Sequence, residues 1–263
     1  MKMMNEPFKT LHPMNIKGIL DQALQLYRSN FLKFIGIIIL AKGPYLVLES
    51  FLVELIESYT AGTSYSPGPN IFLVRLLEPL FIIPLLTAAM TIAISHRLLD
   101  REIGITEAYS KLLKTLSPLL GTILLSGIVI GAGFMFFVIP GIFLWIWFAF
   151  IPQTVIFDGE GGVSAMKRSK HLVKGFFGKT FILLVLLFLA ASLITEMISY
   201  GITRFLPSAL GIGAANVVSV LIEPFKISAM MLLYYDLRIR KEGFDLEIMA
   251  EELEAGMDDD YPI

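Results

Sequence analysis

Residues 162–188 read GVSAMKRSKHLVKGFFGKTFILLVLLF. A short basic amphipathic segment runs directly into a long apolar one. The same layout occurs twice earlier: 23–36 reads ALQLYRSNFLKFIG and 108–121 reads AYSKLLKTLSPLLG, against AMKRSKHLVKGFFG at 165–178. Each opens on Ala and closes on Gly at the same separation, with basic residues between and an apolar run afterwards. A bilayer core of about 30 Å needs about 20 apolar residues at about 1.5 Å of rise each. The pattern therefore predicts an all-α membrane protein with six transmembrane helices in three parallel pseudo-repeats. Each repeat is led by a cytoplasmic amphipathic helix.

Composition points the same way. The chain has 263 residues, of which 56% are hydrophobic and only 17% charged, and a mean hydropathy of +0.73. Soluble domains carry about 25% charged residues, and the shortfall here lies in long uncharged runs. Once those runs are removed, no segment is long enough for a soluble domain with its own core. The absence of cysteine excludes disulfides and thiolate metal sites. The start, MKMMNEPFKTLHP, has no apolar core and no small-residue cleavage site, so no cleaved signal peptide is expected.

In chain order, 14–30 places Ile16, Ile19, Leu20, Ala23, Leu24 and Tyr27 at helical spacing, with Lys17, Asp21, Gln25 and Arg28 on the other side. This is a helix at the interface, with its apolar face either in lipid or against the bundle. Spans are expected at about 32–55, 71–95, 119–139, 142–157, 181–205 and 215–235. Further surface helices are expected at about 106–116 and 163–174. Pro140-Gly141 reads as the tight turn between spans three and four. The domain plan is a segment 1–13, a membrane domain 14–242 with repeats at about 16–102, 103–160 and 161–242, and an acidic tail 243–263. That tail reads as a solvated disordered segment, or as a docking tail for a basic surface.

Lys and Arg concentrate in the N-terminal segment, in 96–114, in 158–179 and in 238–241, whereas 57–70, the Pro140 turn and 206–214 hold none. The two sets alternate as six spans require. The positive-inside rule then puts both termini in the cytoplasm of a multi-pass plasma-membrane protein.

Among the acids inside spans, Glu78, Glu196 and Glu223 are the candidate site residues. The helical rise places them in the outer half, where an ionisable residue is a candidate binding site for a proton, a cation or a substrate's positive group. Arg75 stands three residues before Glu78, and Lys226 three after Glu223, so each acid also has a possible same-face ion-pair partner. Leu76-Leu77-Glu78-Pro79 resembles Leu221-Ile222-Glu223-Pro224, a further mark of repetition. Arg28, Lys33, Lys111, Lys114, Lys167, Arg168, Lys170 and Lys174 form a cationic set that suits anionic headgroups. His12, His96 and His171 are dispersed, and no HExxH, CxxC, Walker or GxSxG pattern exists. Gly211-Ile212-Gly213 follows no strand and is no nucleotide fingerprint. No cofactor, metal or nucleic acid is expected.

The run PGIFLWIWFAFIPQTVIFDGEGGVSAMKRSKHLVKG at 140–175 and the exit YYDLRIRKEGFDLE at 234–247 resemble the glycerophosphoryl diester phosphodiesterase membrane-domain family. The exit motif residues are Asp236, Arg238, Arg240, Glu242 and Gly243. The resemblance implies a stand-alone prokaryotic multi-pass domain. It implies no phosphodiesterase activity, because only a short acidic tail follows the last span where that family's name refers to a catalytic barrel.

The expected function is that of a non-enzymatic membrane protein. It would bind or organise lipids, or a membrane or cytoplasmic partner protein, through its basic helices and acidic tail. The alternative is a small transporter or channel with an acidic site in the outer half.

Overall fold

The computed structural model describes residues 13–60, 68–98, 103–205 and 208–243, and these are almost wholly helical, without a strand. Helix α1 (Ile16–Ser29) starts at Asn15, whose side chain accepts the Gly18 N–H at 2.7 Å, an N-cap that satisfies one of the orphan donors of the first turn. Asn30 ends it by donating its side-chain amide to the Leu26 carbonyl at 3.1 Å. Helix α2 (Phe31–Thr60) begins one residue later and keeps its course through Pro44.

Helix α3 (Gly68–Leu77) passes through a π turn, Glu78–Ile82, into α4 (Ile83–Leu98). Pro79 and Pro84 lack the N–H groups that an α-helix would aim at the carbonyls of Arg75 and Leu80. The regular ladder is interrupted at both, and the wider turn lies between them. Helix α5 (Ile105–Phe136) is followed by one extended residue, Phe137, and then α6 (Val138–Trp147). The α5–α6 hairpin is tight because glycines line it. A Cβ on Gly141 would stand 2.4 Å from the Phe134 ring, so only a hydrogen fits there. Residues 148–150 break the helix before α7 (Ile151–Asp158). Helix α8 (Val163–Val173), α9 (Phe177–Thr203) and α10 (Ser208–Glu242) complete the chain. Gly175, at φ 93°, makes the turn between α8 and α9.

Six helices are long and apolar enough to cross a membrane: Phe31–Thr60, Asn70–Leu98, Ile105–Phe136, Val138–Asp158, Phe177–Thr203 and Gly213–Glu242. Large apolar side chains such as Leu32, Val47, Phe72, Ile128, Met135 and Phe188 are exposed around the bundle. In water such a surface would be a severe liability, and in a bilayer it is the solvent-matched face. The chain is an α-helical membrane protein. Helix α10 is its central post: Ala229, Met231, Leu232, Leu233, Tyr234 and Leu237 are fully buried, with α1, α2, α4, α8 and α9 packed around them.

Three expectations change, and of the two environments expected for α1 the structure shows the bundle. The segment 106–116 is not a separate surface helix. It is the first third of α5, which continues through Pro118. The turn before α6 is at Phe137, not Pro140-Gly141, and Pro140 sits in the first turn of α6, where a missing N–H costs little. Span four is two helices rather than one. Helix α1 packs along α10, with Met14 bonded beside Asp236 at one end and the Tyr27 hydroxyl donating to the Leu221 carbonyl at 3.0 Å at the other. Its buried stripe of Ile19, Ala23 and Leu26 thus meets protein. The expectations for 1–12, for Asp100 to Glu102, for His12 and for the tail beyond Gly243 lie outside the described residues.

Candidate functional site

Three polar centres form in the bundle. The first is at the basic end, where α8 begins and α10 finishes. Asp236 is fully buried. Its carboxylate accepts the Met14 N–H at 2.6 Å, Lys179 Nζ at 2.5 Å and Arg240 Nε at 3.0 Å. The Met14 carbonyl accepts in turn from Lys179 at 2.6 Å and Arg240 at 3.0 Å. Six residues on, Glu242 bonds Arg168 and Arg238, and Arg168 Nε also reaches Asp158 at 3.2 Å. Burial opposes the Arg168 charge, but the Glu242 hydrogen bond and the charges of Glu242 and Asp158 outweigh it and hold its pKa above the ordinary value. The i,i+4 spacing of Asp236 with Arg240, and of Arg238 with Glu242, places each pair on one face of α10. Gly243, at φ 63°, caps the helix by donating its N–H to the Ile239 carbonyl at 3.1 Å. The exit motif is therefore a clamp that fastens α1, α8 and the start of α9 to α10.

The second centre is a cleft of about 700 Å³ toward the opposite end, between α2, α3, α9 and α10. Glu49, Glu54, Glu57, Glu78, Lys42 and Arg75 carry its charge, and Thr195, Asn216 and Ser219 complete its polar lining. Lys42 and Glu78 pair at 2.6 Å, with side chains 6% and 28% exposed. This answers how a lysine 12 residues into a span is tolerated: it meets a carboxylate across the helix interface. Arg75 is therefore not the partner of Glu78. It reaches Glu49 on α2 instead, at 3.6 Å, because helix α2 lies beside this segment and offers a lysine to Glu78 and an acid to Arg75.

The third centre is a smaller cavity of about 270 Å³ between α4, α6, α7, α9 and α10. Glu223 and Lys226 line it and pair with each other at 2.8 Å. Gln153 also lines it, fully buried, and neither its amide oxygen nor its nitrogen has a hydrogen-bond partner among the described residues. Ser219 and Glu223 are one turn apart on α10, so the cleft and the cavity follow each other along one helix. On the other side the π turn separates them, with Glu78 lining the cleft and Ile83 the cavity.

The three candidate acids are thus not brought together. Glu78 is in the cleft and Glu223 in the cavity. Glu196 is exposed on α9, next to the cleft-lining Thr195, and has no ion pair among the described residues. The basic set also divides. Arg168 belongs to the clamp. Lys111 pairs with Glu107 at 3.1 Å and donates to His96 Nε2 at 2.9 Å, while His96 Nδ1–H is assigned as donor to the Ile92 carbonyl at 2.8 Å. Lys170 lies 4.1 Å over the Trp147 ring. Lys114, Lys167 and Lys174 are exposed. Arg28 and Lys33 join Arg97 around a cleft of about 400 Å³ at the α1–α2 elbow that has no acid in its wall among the described residues.

Lys179, Gln153, Glu49 and Glu54 are functional-site residues that the sequence reading passed over. Lys42 carried a signal, as a lysine inside an apolar run. Gln153 carried a weaker one, as an amide inside an aromatic span. Lys179 looked like one more interfacial cation. Among the described residues no group of three His, Asp or Glu side chains is placed to hold a metal.

No curated protein and no solved structure matches the chain. The cavity lining, from Ile83 to Met230, and all of α8 fall within the span that a family model covers, whereas α1 and the α2 wall of the cleft precede it. That model, described as Domain of unknown function (DUF7847), matches residues 72–237, well over half of the chain, and the protein belongs to this family.

Proposed function

We propose that the protein is a non-enzymatic, membrane-embedded binding and permeation protein for small polar solutes, entered from the end opposite its basic helices. One observation carries this reading: the cleft of about 700 Å³ that reaches between α2, α3, α9 and α10 down to the Lys42–Glu78 pair. Irregular or polar structure at membrane depth is tolerated where it lines a cavity. Four carboxylates (Glu49, Glu54, Glu57, Glu78) against two cations (Lys42, Arg75) leave the wall net negative, which favours cationic or zwitterionic solutes over anions. Glu78, the first residue of the π turn, forms part of one wall, and such turns are the kind of weakened helical segment that functional sites in bundles use.

The lack of cysteine supplies the test. Glu54→Cys and Asn216→Cys should react, in intact cells, with a thiol reagent that cannot cross the bilayer. Val47→Cys, on the exposed apolar face of α2, should not. Silence at Asn216→Cys, with Glu54→Cys reacting, would mean a closed bundle and would end this reading. With both termini in the cytoplasm of the plasma membrane, as the charge bias suggests, the cleft faces outward.

A second reading rests on the elbow cleft, where Arg28, Lys33 and Arg97 converge without a counter-charge in its wall among the described residues. It suits an anionic headgroup, at about 1 kcal/mol per cation near such a surface. Lipid organisation, or docking of a protein partner, would then be the role of the basic end. Arg28→Gln with Lys33→Gln should reduce the anionic lipid that copurifies, and an unchanged lipid content would remove this reading. We further read the bundle as three helix-pair units, on the strength of the similar elbows at Asn30 and at 174–175. The continuous α5 is the unit that departs from them. Failure of the α1–α2 and α8–α9 pairs to superpose in an experimental structure would discard the repeat.

A further inference from the structure

We infer that the cavity around Gln153 is a second, separate binding site, open to the bilayer and built for a small amphipath: an apolar body carrying one amide or hydroxyl head. This stands apart from the reading of the polar cleft and fails or holds without it.

Gln153 is the central observation. Its side chain is 0% exposed, and its carboxamide has neither a donor nor an acceptor partner among the described residues. Buried amides are ordinarily satisfied, because an unmade hydrogen bond in a low-dielectric interior is costly. This one lines an open volume of about 270 Å³, roughly nine waters' share of liquid at about 30 Å³ each. A single bridging water would leave most of that space empty.

The rest of the wall states what shape of molecule belongs there. Apart from Gln153, Thr87, Glu223 and Lys226, the lining is apolar: Pro84, Trp145, Leu184, Leu187 and Phe188 among others. The Thr87 hydroxyl is already committed to the Ile83 carbonyl at 2.8 Å. Glu223 and Lys226 are committed to each other, so the ion pair needs no charged ligand and presents a polar flank. Among these four polar side chains the one with no partner is therefore the Gln153 carboxamide, which offers two donors and one acceptor. An amide or a hydroxyl head answers both halves of it.

The entrance lies on the side. Trp145 on α6 and Phe188 on α9 are 39% and 61% exposed on the perimeter of the bundle, and both also line the cavity. A molecule enters between those two helices from the hydrocarbon region. This explains the balance of the lining, since a solute from water would have to leave its hydration shell before reaching Gln153.

The full chain contains only two tryptophans, Trp145 and Trp147. In a Trp147→Phe background Trp145 is the sole reporter, at the mouth of the site. The probe is a ten-carbon primary amide brominated at its far end, added to the protein in nanodiscs of zwitterionic lipid. Bromine quenches indole emission at short range. Saturable quenching is expected, and Gln153→Leu should weaken it about tenfold or more. Gln153→Leu should also leave the melting temperature equal or higher, because it removes an unpartnered buried amide. Ala149→Leu, which narrows the cavity and keeps the amide, should weaken quenching as well. Quenching that rises linearly with the amount of probe, and equally in Gln153→Leu, would mean simple partition into lipid and would overturn the site. A lower melting temperature in Gln153→Leu with unchanged quenching would assign the amide a structural role and would also overturn it.

Discussion

Asp236 on α10 accepts the backbone N–H of Met14 at 2.6 Å, joining positions 222 residues apart in the chain. The same carboxylate holds Lys179 and Arg240, and both of those cations return to the Met14 carbonyl. One buried charge thus organises a backbone amide, a lysine and an arginine from three parts of the sequence. Removing one partner from such a group strands the others, at about 3–5 kcal/mol. Asp236→Ala should therefore lower the stability of the detergent-solubilised protein by about that much and release α1 to protease. Adding Lys179→Met should recover part of the loss, because one stranded charge goes with it. Equal stability of Asp236→Ala and the parent, by thermal melting, would contradict the clamp.

Lys42 and Glu78 give a sharper double-variant test. They pair at 2.6 Å across the α2 interface, with the lysine almost fully buried. Lys42→Met should cost about 1–3 kcal/mol, since Glu78 loses its cation but its carboxylate still faces the cleft, 28% exposed. The swapped pair, Lys42→Glu with Glu78→Lys, should recover much of it. Two substitutions that simply add would show that the residues do not interact. Arg75→Gln should have a far smaller effect, because its 3.6 Å contact with Glu49 involves a largely exposed guanidinium.

These examples show what the sequence exposes and what it hides. The runs that become α2, α5, α9 and α10 are legible because the bilayer demands about 20 apolar residues from any helix that crosses it. Same-helix pairs are legible for the same kind of reason: Glu223 and Lys226 are neighbours by helical spacing alone. Cross-helix partners are not. Nothing local tells Arg75 to meet Glu49 instead of Glu78, because the choice depends on where α2 packs. The basic rows misled in a similar way. Lys167 and Arg168 are adjacent and look equivalent, but 100° of helical rotation sends one to the surface and the other between Asp158 and Glu242. Breaks were the least legible. Pro118 leaves α5 unbroken while residues 148–150 interrupt span four, and tertiary contacts decide both.

That difference within α8 is itself measurable. Arg168→Ala should destabilise the protein in any detergent, and Arg168→Lys should rescue it poorly, since two carboxylates share the flat guanidinium. Lys167→Ala should leave the melting temperature unchanged. Lys167→Ala with Lys174→Ala should instead weaken the preference for nanodiscs rich in anionic lipid, by an amount that shrinks as salt is added. A stability loss in Lys167→Ala matching that of Arg168→Ala would refute the division of roles along α8.

Ser169 shows how the break in span four is repaired, and it offers the simplest test of the fold. Between α6 and α7 the helical ladder fails, leaving the Trp147 carbonyl and the Phe150 N–H in need of partners at membrane depth. The fully buried Ser169 hydroxyl serves both, donating to Trp147 O at 2.7 Å and accepting from Phe150 N–H at 3.2 Å. A backbone group left unsatisfied in a buried site costs about 1–3 kcal/mol. Ser169→Ala removes only one oxygen atom and creates almost no cavity, so the whole effect should come from those two orphaned groups. Thermal melting should report a loss of about 1–3 kcal/mol. Hydrogen exchange at Phe150 should rise in the same variant while amides deep in α10 stay protected. If exchange at Phe150 does not change, water or a neighbouring carbonyl already serves that N–H, and α8 does not hold the break in place.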